Sequence, residues 1–99
     1  MNRHYDALET RDPALREREQ LARLAQQVVF AKSRAPAYAE RLAGVDAADV
    51  RTRVALAALP VTRKSELLAL QLQQPPFGGF AAVGWGGALR VFASPGPIY

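Results

Sequence analysis

The sequence predicts a mainly α-helical fold with a short C-terminal β-hairpin, and three observations carry that expectation. Apolar residues recur at three- and four-residue spacing from Pro13 to about Arg34, which is the period of one helix face. Prolines at 36, 60, 75 and 76 divide the following chain into short pieces, because proline removes a helical donor and restricts the residue before it. Residues 75–99 hold six of the seven glycines and four of the seven prolines, with Phe, Val and Trp between them.

The long helix opens at Asp12-Pro13, where Asp caps free amides and Pro occupies the first helical position at no hydrogen-bonding cost. Leu21, Leu24, Val28 and Ala31 form its stripe, widened by Leu15, Ala22, Ala25 and Val29. Such a stripe is a core face. Ala35, pushed out of helical geometry by Pro36, ends the helix. A second helix is expected from Ala37 to Ala43, closing on Gly44 as a left-handed cap. Asp46 and Thr52 each cap a turn or two, with Val54, Leu56 and Leu59 as buried contacts and Pro60 as the stop. Thr62 is expected to cap a last helix through about Leu72. There Leu67, Leu68 and Leu70 make the apolar contacts, Arg63, Lys64 and Glu66 face water, and the prolines at 75 and 76 end the run. Beyond it, "FAAV" (80–83) and "LRVFA" (89–93) read as two strands joined by "GWGG", with Trp85 near the tip. A two-stranded ribbon is marginal alone, so these strands require something further to pair with. The expected division is a helical subdomain over 1–74 and the start of a β-rich unit over 75–99.

Composition narrows the function. Ninety-nine residues with 49% hydrophobic content suit one small domain with a modest core, which leaves little room for a deep catalytic cleft. No apolar run approaches the roughly 18 residues of a membrane span, and "MNRHYDALETRD" lacks the apolar stretch of a secretory signal, so the reading is cytoplasmic, with no membrane partner. There is no cysteine, which removes disulfides and thiolate ligands; His4, the one histidine, reads as a solvated side chain. The formal charge of +4 raises the question of nucleic acid. "LREREQLAR" alternates signs as a solvated helix face does, and no aromatic residues interleave with its arginines, which argues against that partner.

No complete catalytic set is visible. Ser33, Ser65 and Ser94 have one distant histidine to serve them. In "VGWGGAL" Leu89 stands where the third glycine of a dinucleotide fingerprint would fall, and a strand is expected to follow where that motif needs a helix.

The order of several short motifs is more informative. Tyr5, Leu8, Glu9 and Thr10 match a "Y-x-x-L-E-T" start, Pro36 and Tyr38 a "P-x-Y/F" step, and Gly44 to Asp46 a "GVD" element. Leu56, Leu59, Pro60, Thr62 and Lys64 match "L-x-x-L-P-x-T-x-K", and Pro76, Phe77 and Gly78 match "PFG". This series resembles the amino-terminal region of phenylacetate-CoA ligases, in the adenylate-forming superfamily, and covers nearly the whole chain in order. The resemblance implies that the chain is the N-terminal helical segment of an α/β adenylate-forming enzyme, truncated or expressed alone. The parent would activate an aryl or acyl carboxylate with ATP and Mg²⁺ to an acyl-adenylate and pass the acyl group to coenzyme A. The segment by itself would be inactive and bind none of these cofactors, because the substrate pocket, acid residues and catalytic lysine of the family lie beyond Tyr99.

By the same resemblance Arg90, Val91, Ala93 and Ser94 match the strand that leads into the ATP-phosphate loop, and Gly96 falls on the first loop glycine. Ser94 and Gly96 are therefore the candidate cofactor-binding residues; the alternative is that they end a strand. Pro95 and Pro97 have no N–H to offer a phosphate, and Pro97, Ile98 and Tyr99 replace two threonines and a glycine. Either a remodelled loop still binds ATP or this branch no longer adenylates. The implied partner is the remainder of the adenylation domain. The reading from another class is a small helical interaction module whose exposed strand edge or helix stripe forms a homodimer.

Overall fold

In the computed structural model, which describes residues 3–93, the chain is mainly helical. A 3-10 turn over Ala7–Thr10 leads into α1 (Pro13–Arg34), α2 (Pro36–Arg41), a second 3-10 turn over Ala47–Asp49, α3 (Arg53–Ala57) and α4 (Lys64–Gln73); a third 3-10 turn spans Trp85–Gly87. No helix is long and apolar enough to cross a membrane among the described residues.

α1 begins and ends where local chemistry dictates. The Asp12 carboxylate accepts from the amides of Ala14 and Leu15, and Ala35 is extended at φ −115°, ψ 112° because Pro36 follows. That one extended residue turns α2 back so that the two helices share a core. Val28, Leu42 and Val50 are buried at its centre, with Leu24, Tyr38, Val45, Ala47 and Leu59 packed around them. The Lys32 ammonium donates to the Val45 carbonyl, tying the loop after α2 to α1. Asp46 accepts from the Ala48 amide and Thr52 from the Ala55 amide, so both expected caps form.

Several expectations are corrected. α2 starts at Pro36 and ends at Arg41, and Gly44 is not left-handed; the left-handed residues are Gly78 at φ 65° and Gly79 at φ 81°. Val54 is 82% exposed and Leu56 also faces outward, while Leu59 reaches the core. Residues 54 and 56 sit about 200° apart around a helix, so a helix of five residues cannot bury both. α4 begins one residue later than Thr62 could serve: Arg63 is its N-cap and no side chain caps it.

The β-hairpin is not found. Among the described residues there is no strand: "GWGG" folds as a 3-10 turn closed by the Gly87 amide on the Gly84 carbonyl at 2.9 Å. No backbone group of residues 89–93 bonds to another described residue. A strand exists only by pairing, and a two-stranded ribbon this short does not offset the entropy of ordering it.

Candidate functional site

The sequence directs attention to two places, the motif segments of the helical part and the approach to Ser94 and Gly96. Ser94 and Gly96 themselves lie outside the described residues. Their approach is described: Arg90, Val91, Phe92 and Ala93 are all exposed, with Phe92 at 85%.

Two of the motif segments meet. The Pro36-Ala37-Tyr38 step at the start of α2 lies against the turn formed by Pro76, Phe77, Gly78, Gly79 and Phe80, and the Ala37 amide donates to the Gly79 carbonyl at 2.9 Å. Tyr38 and Phe80 pack edge to face with ring centroids 5.3 Å apart, a favoured aromatic geometry. The turn is anchored at its other side by the Gly78 amide on the Gln74 carbonyl, 2.8 Å. Its two left-handed glycines permit this close approach. A Cβ at Gly78 would lie 3.2 Å from the Leu70 backbone carbon, and one at Gly79 would lie 2.6 Å from Gln74 Oε1 and 3.3 Å from the Ala37 amide nitrogen.

Arg41, one turn further along α2, completes the junction. Its guanidinium forms an ion pair with Glu66 on α4 at 2.9 Å and lies 5.5 Å from the centre of the Phe80 ring, within cation–π range. Glu66, expected to face water, is thus drawn to α2. Between α2, α4 and the turn lies an open cleft of about 530 Å³ lined by residues that include Ala37, Glu40, Arg41, Leu70, Gln73 and Gly78. Gly79, Phe80 and the Arg41–Glu66 pair were not singled out by the sequence reading. The double glycine one residue after a double proline was the available signal for the turn.

The remaining ion pairs hold other elements in place. Glu19 binds Arg11, and Glu17 on α1 binds Arg53 on α3. Hydrogen bonding to Glu17, then its charge, raise Arg53 above the ordinary guanidinium value. His4 Nδ1 stands 3.4 Å from Glu9 Oε2, an ion pair only when the imidazole is protonated.

These groups do not make a phosphate or Mg²⁺ site. The arginine in the cleft is occupied by Glu66 and Phe80, and among the described residues no cluster of three or more His, Cys, Asp or Glu is arranged to hold a metal ion. Ser33 donates back to the Phe30 carbonyl of its own helix. The junction of α2, α4 and the turn positions chain segments relative to one another.

No protein-family model, no curated protein and no solved structure matches this chain.

Proposed function

We propose that the chain is the amino-terminal helical segment of an adenylate-forming acid–CoA ligase similar to phenylacetate-CoA ligases, and that it works by packing on the remainder of the adenylation domain. The observation that carries this reading is α4. Its leucines 67, 68, 70 and 72 point to different sides of the axis at about 100° per residue, yet none is buried and Leu72 is 73% exposed. Interleaved with Lys64, Ser65, Glu66, Gln71 and Gln73, these leucines spread over about 200° of the helix, wider than the single apolar stripe of a surface helix. One flat partner would cover one side and leave the rest in water.

Surface area supports the same conclusion. The chain exposes 7976 Å², against roughly 5,500 Å² for a folded monomer of its mass by the usual scaling. Its radius of gyration is 16.8 Å, against about 13 Å for a chain of this length. The exposed surface includes large apolar side chains: Trp85 is 62% and Leu89 96% exposed. On this reading the junction of α2, α4 and the turn sets the direction in which residues 81–93 enter the adenylation domain. ATP, Mg²⁺ and coenzyme A are then handled by groups beyond Tyr99, with Ser94 and Gly96 at the edge of the phosphate site.

The test is to capture the natural protein with an antibody raised against residues 13–34, weigh it, and assay AMP formation with a panel of aryl and acyl carboxylates, ATP, Mg²⁺ and coenzyme A. A species of several hundred residues that releases AMP in the presence of one of these acids supports the reading. A species of 10.8 kDa overturns it. The unpaired backbone of residues 89–93 favours a second reading for such a short species, self-association through a strand edge, which sedimentation would show as a homodimer.

A further inference from the structure

The outer side of α1 carries a row of arginines that the sequence disguises. At about 100° and 1.5 Å per residue, Arg16, Arg23 and Arg34 fall within roughly 20° of one direction and span about 27 Å of helix. Gln20 and Gln27 fill the row between them and Phe30 stands at its edge; all six are exposed. In the linear sequence Glu19 lies three residues from Arg16 and four from Arg23, the spacing of a helical ion pair. In the structure Glu19 is taken by Arg11 and Glu17 by Arg53, and Arg16, Arg23 and Arg34 make no side-chain hydrogen bond or ion pair with any described residue. Arg16 is moreover at the end of the first turn of α1, where the helix dipole disfavours a cation. Helix stability does not account for its presence.

We propose that this row is a docking surface for an acidic α-helix of a partner protein. The row is straight, and its intervals of seven and eleven residues correspond to about 10 and 17 Å of rise. A second helix lying alongside, with Glu or Asp at the same two intervals, presents carboxylates in one line at the same spacing. Each guanidinium can take a carboxylate through two parallel N–H donors, and the glutamine amides between them can donate to or accept from the partner's polar side chains. Phe30 supplies an apolar contact toward the C-terminal end of the row. A nucleic-acid duplex fits less well: its phosphates follow a curved path, whereas the row is straight. The surface lies on a different helix from the apolar α4, so this inference stands whether or not the ligase reading does.

The experiment titrates the 99-residue protein with a helical Ala/Gln peptide carrying three glutamates at seven- and eleven-residue intervals. A peptide of the same composition with the three glutamates adjacent is the control, and a duplex DNA oligonucleotide is the competing probe. The spaced peptide should bind with a salt-dependent affinity, and Arg16→Glu, Arg23→Glu and Arg34→Glu together should weaken it by about tenfold or more. The charge-matched set Arg63→Glu, Lys64→Glu and Arg90→Glu should leave it within about twofold. Absence of binding, equal binding of the clustered peptide, equal loss in both variant sets, or tighter binding of the DNA would each overturn the proposal.

Discussion

Replacing Gly79 by alanine tests whether the turn after α4 is what joins α4 to α2. At φ 81° an alanine is held in the left-handed region, which costs about 1–2 kcal/mol for a residue with a Cβ. The new methyl would also sit 2.6 Å from Gln74 Oε1 and 3.3 Å from the Ala37 nitrogen. The first contact is relieved by moving a flexible side-chain end; the second presses on backbone that already bonds to Gly79. The dihedral term therefore dominates, and about 1–2 kcal/mol corresponds to roughly a 5- to 30-fold increase in local opening. Amide hydrogen exchange at Ala37, whose N–H donates to the Gly79 carbonyl, reads that opening directly. Gly44→Ala is the internal control: it has no positive φ and nothing within 4 Å of a new Cβ, so it should be neutral or stabilise by up to about 1 kcal/mol through the unfolded chain. Unchanged exchange at Ala37 in Gly79→Ala, or equal effects of the two substitutions, would refute the reasoning.

Three further substitutions probe the caps and the core. Thr52→Ala removes the acceptor for the Ala55 amide and should cost about 1 kcal/mol in urea unfolding; Thr62→Ala, which removes no cap, should change stability by less than about 0.5 kcal/mol. Val50→Ala deletes two methyl groups from a side chain that is 1% exposed at the centre of the core, and should cost about 2 kcal/mol before any cavity penalty, seen as a lower unfolding midpoint by circular dichroism.

How much was legible depended on how locally each feature is specified. The long helix was readable to the residue because Asp12-Pro13 and Ala35-Pro36 carry their own start and stop, independent of anything they pack on. Asp46 and Thr52 were readable for the same reason. The burial of Val54 and Leu56 was not, since a five-residue helix shows one face to the core and its rotation is set by tertiary packing. Glu66 was misassigned because its partner, Arg41, is 25 residues away and no local pattern marks such a pair. In the row on α1, sequence neighbours suggested neutralisation, while the fold drew both glutamates to other arginines. The junction between Pro36-Ala37-Tyr38 and the 76–80 turn joins two motifs that the sequence shows only as separate matches, and Ser94 and Gly96 lie outside the described residues.

The missing hairpin and the uncovered α4 are two consequences of one property of this chain. Its local signals for helix are self-sufficient, so α1 forms with caps and an internal ladder, whereas strand pattern at 80–83 and 89–93 specifies only a readiness to pair. The same holds for the leucines of α4, whose arrangement is informative only relative to what surrounds them. A core centred on Val28, Leu42 and Val50 can hold α1, α2 and the 47–49 turn, but it does not reach α4 or the residues after it. Those later residues are joined to the core through a defined contact, the Gly79 carbonyl on the Ala37 amide with Arg41 bridging Phe80 and Glu66. That contact fixes where the uncovered apolar surface begins. On the proposed reading this is the arrangement a docking segment needs: one part packs on its own core, and the other is held by it in the position from which a partner is met.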